Sequence, residues 1–378
     1  MITLATLIER FGQAFLAQHG ASALPSQRQA LNAMKLCRSS LGPGMLARCG
    51  DCGGQRVVPH SCGHRNCPHC QHFESQRWIE RQTQALVPGS YFLITFTLPA
   101  ELRPLAWSHQ RLLYAALMDC AWDTLRTFSL NHRQLQGSAG AVAVLHTHSR
   151  KLDFHPHVHV AMPAAALDAD KGLWRSLRKT SKGDGYLFNH KALAKVFRAK
   201  FLAAVGELGL QLPPDVPANL PDKWVVDCKS VGDGQKALVY LGRYLYRGVI
   251  QERDILRCEN GQVTYRWRDS KTKKPAQRTV SGVEFLRLVL QHVLPKGFRR
   301  ARNYGFLHPN SKRLIALLRL LVFRSSGTAP AEATQTTQSE RPKLLCQCCG
   351  AAMVIVRRRI LPLIAPPLQF NSEGFAAN

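Results

Sequence analysis

The chain has 378 residues, enough for two or three domains with buried cores, and its 45% apolar content marks it as globular rather than disordered. Lysine and arginine number 51 against 24 acidic residues, a formal charge of +27, which makes a polyanionic partner the default expectation. No stretch has the length of a membrane span and no signal-peptide pattern opens the chain, so nucleic acid is expected and a membrane is not. The expected compartment is cytoplasmic and nucleoid-associated, and in reducing surroundings clustered cysteines read as metal ligands.

Apolar residues at helical spacing (Leu4, Leu7, Ile8, Phe11, Phe15) predict a helix over 3–19, and a second is predicted over 26–37 after Pro25. Six of the 12 cysteines then fall between Cys37 and Cys70. Cys49-Gly-Asp-Cys52 and Cys67-Pro-His-Cys70 are two knuckles with glycines placed for tight turns. Four thiolates in this arrangement fit a tetrahedral structural Zn²⁺, with Cys49, Cys52, Cys67 and Cys70 as ligands. Cys37, Cys62, His60 and His64 are then surplus, either spectators or members of a second site.

A helix is expected over 73–86 with Trp78, a buried strand over 91–98, and helical chain from about 104 to 133. Residues 140–148 and 153–162 read as an antiparallel strand pair across a turn at Ser149-Arg150-Lys151. On the second strand His155, His157 and His159 share one face, while Pro156, Val158 and Val160 share the other. Imidazoles at i and i+2 stand side by side and can hold one divalent ion. His146-Thr147-His148 has the same spacing, but its middle residue is polar, so it is the weaker candidate.

Further on, a helix is expected near 193–208 and a strand over 224–228. Asp233-Gly234 reads as the start of a helix closed by Gly248, with Asp233 as N-cap. Tyr240 and Tyr244, at i and i+4, present two phenols on one face of it. Gly242 between them costs helix stability, which suggests a close approach to the backbone. Short strands around Arg266-Trp267-Arg268 join a Lys271–Lys274 turn, and a helix is expected over 283–294. Arg299, Arg300, Arg302 and Tyr304 follow as a second basic and aromatic cluster. With Arg243 and Arg247, these residues suit a surface that tracks phosphates and stacks bases. Residues 325–342 read as a linker, Cys346-Gln-Cys-Cys349 as a lone knuckle, and the chain from Pro362 as disordered.

A phenol, a divalent ion and a cationic surface together supply the parts for cutting a phosphodiester. The ion acts as a Lewis acid, and the phenol attacks to leave a covalent phosphotyrosine that stores the energy for rejoining. Nitrogen ligands favour Mn²⁺ over Mg²⁺.

In order, Cys67-Pro-His-Cys70-Gln71, Phe96-Thr-Leu-Pro99, Leu145-His146-Thr147, Phe154-His-Pro-His-Val-His159, Tyr240-Leu-Gly-Arg-Tyr244, His292-Val-Leu-Pro295 and Arg302-Asn-Tyr-Gly305 span about 30–310. This order resembles transposases of the insertion-sequence-91 family, rolling-circle enzymes of the HUH (His-hydrophobic-His) endonuclease class. The resemblance implies an α+β fold, an HUH-like antiparallel sheet with flanking helices preceded by a small zinc-binding domain. It implies His157 and His159 as ligands of a catalytic Mg²⁺ or Mn²⁺; no motif gives the third, for which His155, Gln235 or a distant residue are the alternatives. It also implies Tyr240 and Tyr244 as nucleophiles toward single-stranded element ends and target DNA. The expected units are 1–88 (helices and zinc module), 89–310 (catalytic domain) and 311–378 (helix, linker, knuckle and tail). A replication initiator or relaxase with the same chemistry, or a non-catalytic zinc-dependent DNA-binding regulator, are the competing expectations.

Overall fold

The computed structural model describes residues 2–177, 187–211, 220–246, 248–269, 272–326 and 343–361. Helices α1 (Leu4–His19) and α2 (Pro25–Lys35) form where the apolar spacing predicts them. Thr3 caps α1 by accepting from the Thr6 amide, and Pro25 starts α2 at a position where no backbone N–H is needed. The cysteine segment opens as a hairpin, β1 (Gly44–Cys49) and β2 (Gln55–Pro59), and leads to α3 (His72–Gln84).

The chain then lays down β3 (Tyr91–Thr97), α4 (Arg103–Ser108), α5 (Gln110–Asn131), β4 (Gly140–His148) and β5 (Phe154–Pro163). A small hairpin, β6 (Ala165–Asp168) with β7 (Leu173–Ser176), precedes α6 (His190–Glu207), β8 (Val226–Ser230) and α7 (Gln235–Tyr246). Strands β9 (Ile255–Glu259), β10 (Gln262–Arg268) and β11 (Pro275–Ser281) make a second sheet, followed by α8 (Gly282–Leu290). Last come β12 (Ala301–Gly305), α9 (Lys312–Ser326) and β13 (Met353–Ile360).

The fold is α+β, organised on a five-stranded sheet in the order β12-β4-β5-β3-β8, antiparallel at every pairing. Both faces of its centre are covered. Ala141, Ala143, Leu145, Val158 and Val160 join the core formed with α5 and α6. Val142, Val144 and Ala161 join Trp78 of α3 and Leu238, Leu241 and Leu245 of α7. Because side chains alternate across a strand, the odd-numbered residues near the end of β4 serve the first core and the even-numbered ones face α7.

Helix α7 is held close to the sheet through α3. A Cβ at Gly242 would stand 2.9 Å from Trp78 Cε3 and closer still to Ile79 Cγ1, and Ser75 Oγ donates to the Gly242 carbonyl at 2.9 Å. The glycine expected to mark a close approach thus does so, against α3. Gly242→Val should overpack this contact and cost about 1–3 kcal/mol. The urea unfolding midpoint should fall accordingly, and an unchanged midpoint would disprove the role.

The N-terminal helices do not form a core of their own. Phe11, Leu7 and Ile8 of α1 and Leu31 of α2 share one apolar cluster with Phe285 and Leu286 of α8 and with Val263 and Tyr265 of β10. A Cβ on Gly282 would collide with the Phe11 ring, and Glu252 Oε1 accepts from the Leu4 amide at 2.8 Å. Strand β13 pairs along β1, so residues 343–361 lie on the cysteine module instead of trailing from the other end of the chain.

The four thiols expected to share one zinc do not meet. In the β1–β2 hairpin Gly44 pairs with Pro59 at the base and Arg48 with Gln55 at the tip. At about 3.4 Å per residue, the tip carrying Cys49 and Cys52 lies well over 10 Å from the base, where the chain continues to Cys62. The sulfurs therefore sort into two tetrads, Cys37-Cys62-Cys67-Cys70 and Cys49-Cys52-Cys346-Cys349. Arg247, most of the expected linker and the tail from Pro362 lie outside the described residues.

Candidate active site

The face of the sheet under α7 carries three histidines whose ring nitrogens lie within 4.8 Å of one another: His146, His157 and His159. His157 and His159 come from β5, as their spacing predicts. The third is His146, the candidate ranked lower because Thr147 is polar. Cross-strand register decides the matter, since His146 of β4 pairs directly with His157 of β5. Thr147 is buried despite its hydroxyl, because both faces of β4 are covered.

His155 belongs elsewhere. Its Nδ1 accepts from Arg103 Nη2 at 2.8 Å, and it is absent from the cluster. Gln235, the other named alternative, is exposed in the first turn of α7, its amide capped by Asp233 Oδ1 at 3.1 Å.

The histidines are prepared as ligands. His157 Nδ1–H donates to the His155 carbonyl at 2.7 Å, and His159 Nδ1 is 2.8 Å from Thr95 Oγ1. Such partners fix ring orientation and leave the Nε2 atoms free to point inward. Nε2 of His146 is buried without a hydrogen-bond partner, an orphan that a cation would satisfy. Burial, followed by repulsion from His159, lowers the His157 pKa to about 3, and burial lowers that of His159 to about 4. His146 is driven well below the ordinary histidine range by the same cause. At neutral pH all three imidazoles are unprotonated, the form that binds metal.

Both tyrosines of α7 reach this cluster. The Tyr244 ring stacks on His146 with centroids 4.6 Å apart and planes at 15°, and lies 5.7 Å from His148. Tyr240 meets His159 edge-on at 5.8 Å and is 4.8 Å from Tyr244. Burial, and then the neighbouring Tyr244, push the Tyr240 phenol upward. Behind Tyr244, His148 lies 5.3 Å from the buried His292, whose Nε2–H donates to the Leu152 carbonyl at 2.9 Å.

The tyrosines open onto a cleft of about 430 Å³ between α7 and the β9–β11 sheet. Arg243, Arg266, Trp267 and Arg268, expected to touch DNA, line it, together with Arg150 and Arg253, which no motif had singled out. Lys151 Nζ sits over the Trp267 ring at 4.6 Å.

The cluster at 299–304 does not join this wall, because most of its members are committed to the fold. Arg302 pairs with Asp119 at 2.8 Å, and Tyr304 stacks on Trp122 at 5.1 Å. Arg300 turns inward, donating to the Leu145 carbonyl at 2.9 Å and the Leu245 carbonyl at 3.4 Å, so that it joins the His146 strand to the end of α7. Arg299 is exposed away from the cleft.

The first cysteine tetrad lies against the apolar cluster shared by α1, α2 and α8. Cys37, at the end of α2, meets Cys70 at 3.3 Å and Cys67 at 3.6 Å, and Cys62 is 3.6 Å from Cys70. About 3.8 Å separates sulfurs arranged tetrahedrally on Zn–S bonds of ~2.3 Å, so these thiols fit zinc with little movement. Cys37 and Cys62, first read as surplus, are members of this tetrad, whereas Cys49 and Cys52 are not.

An antiparallel sheet presenting clustered histidines to a helix with two tyrosines, beside a cysteine module, is the arrangement that the resemblance to transposases implies. Two family models agree: "Transposase zinc-binding domain" over residues 7–98 and "Putative transposase" over residues 140–314. A Sinorhizobium fredii protein described as a "Putative transposase" is 33% identical over 323 residues, 80% of each chain. The transposase for insertion sequence element IS801 of Pseudomonas savastanoi pv. phaseolicola is 29% identical over 356 residues, 87% of this chain and 82% of its own. The chain belongs to the insertion-sequence-91 family of transposases. DNA is accordingly its partner, and no helix among the described residues is long and apolar enough to cross a membrane.

Proposed function

We propose that this transposase nicks and joins single-stranded DNA through a covalent 5′-phosphotyrosine, moving its element by a rolling-circle-like route. The observation that carries the reading is the stacking of Tyr244 on His146 inside the three-histidine cluster. His146, His157 and His159 would hold Mn²⁺ or Mg²⁺, which as a Lewis acid would neutralise charge on the scissile phosphate. The three-nitrogen donor set favours Mn²⁺.

Tyr244 attacks phosphorus through its phenolic oxygen. The phenol gives up its proton as the new O–P bond forms, and the departing 3′-oxygen takes one up. Tyr240, on the same helical face, serves a second strand or the return step. Arg150, Arg243, Arg253, Arg266 and Arg268 guide the backbone along the cleft, and Trp267 offers a face for a base.

The test is incubation with labelled single-stranded element ends and Mn²⁺. An SDS-resistant adduct is expected that disappears with EDTA and in the Tyr240→Phe/Tyr244→Phe double variant. Full adduct formation by that variant sinks the reading.

A further inference from the structure

We propose that Cys49, Cys52, Cys346 and Cys349 bind a second zinc ion, which fastens the C-terminal strand β13 onto the N-terminal cysteine module. The lone C-terminal knuckle is thus completed by the first knuckle of its own chain. All four sulfurs lie within 4.8 Å of one another, with Cys49–Cys349 at 3.5 Å and Cys52–Cys346 at 3.6 Å. These separations are close to the ~3.8 Å of a tetrahedral zinc tetrathiolate. They are far outside the ~2.05 Å of a disulfide, and all four cysteines are free.

The two halves of the site are built alike. The Cys49 N–H donates to the Gly54 carbonyl at 2.8 Å, and the Cys346 N–H donates to the Ala351 carbonyl at 2.8 Å. Each second cysteine is followed by a glycine in the left-handed region, Gly53 at φ 72° and Gly350 at φ 75°.

Strand β13 needs such a fastening. Val354 is 65% exposed and Val356 54%, while Leu345 and Leu361 on either side of the strand are also exposed, so little apolar burial holds this segment. What remains is its backbone ladder to β1, which ends at the pair Cys49 and Met353, beside the thiols. A three-stranded sheet with so small a core is the setting in which a structural metal supplies the missing stability. With β13 come Arg357, Arg358 and Arg359, all exposed.

The experiment is differential alkylation of the full zinc-loaded chain, read by peptide mass spectrometry. Cys52, Cys348 and Cys349 are all exposed, but only Cys348 lies outside the tetrads. Iodoacetamide should label Cys348 readily and Cys52 and Cys349 at least ten-fold more slowly, with the difference erased by a zinc chelator. Equal labelling of the three before chelation overturns the proposal. Zinc content supplies a second reading: Cys346→Ser/Cys349→Ser should lose one zinc per chain, and Cys348→Ser none. A folded double variant with undiminished zinc also overturns it. Neither readout depends on DNA cleavage, so the outcome is separate from that of the catalytic reading.

Discussion

His146→Ala should reduce Mn²⁺-dependent cleavage of single-stranded DNA by roughly 10²–10⁴-fold. Lewis-acid stabilisation of a phosphoryl transition state amounts to several kcal/mol, and each 1.36 kcal/mol is a factor of ten in rate. Removing one of three ligands forfeits much of that by leaving the cation loosely held. Calorimetric titration with Mn²⁺ should show the matching loss of affinity, and excess Mn²⁺ should restore part of the cleavage. His155→Ala is the informative contrast. Its Nδ1 accepts from Arg103 and its ring lies outside the cluster, so metal affinity should stay near wild type. Should His155→Ala abolish metal binding while His146→Ala leaves it intact, the assignment of the third ligand is wrong.

His146 also shows where sequence reading runs out. Periodicity tells which residues of one strand share a face, and on that basis His157 and His159 were legible, as were the paired phenols at i and i+4 of α7. Which residue of the neighbouring strand faces them depends on register, fixed here by the pairing of His146 with His157. Nothing local in the sequence announces it. The polarity of Thr147 was a misleading guide, because a central strand buries its residues on both sides whatever their chemistry.

Cysteine spacing has the same limit. It identified two zinc knuckles but not their partners, since the β1–β2 hairpin holds Cys49 and Cys52 away from Cys67 and Cys70 and the C-terminal knuckle arrives on β13. Strands β12 and β13 escaped notice for a related reason. They lie at sheet edges with arginines along them, so neither shows the sustained apolar run that marks β3 or the alternation that marks β5.

The two tyrosines should separate in their effects, with the larger at Tyr244. Tyr244→Phe should lower formation of the first covalent adduct by at least about 100-fold, because the attacking oxygen is gone while the ring and its packing remain. The phenylalanine keeps the stacking on His146 at 4.6 Å, so the loss reports the hydroxyl and not a displaced helix. Tyr240→Phe should retain the first adduct and fail at strand transfer. Tyr240 is 38% exposed, meets His159 only edge-on, and its phenol is pushed upward by burial and by Tyr244. The order of attack then rests on position: Tyr244 stacks on His146 within the cluster, whereas Tyr240 meets His159 at its edge, with the two phenol rings 4.8 Å apart. Strands labelled at the 5′ or the 3′ side of the nick, resolved on denaturing gels, distinguish adduct from transfer product. A wild-type yield of first adduct from Tyr244→Phe, with none from Tyr240→Phe, would reverse the two roles and with them the geometry on which the order rests.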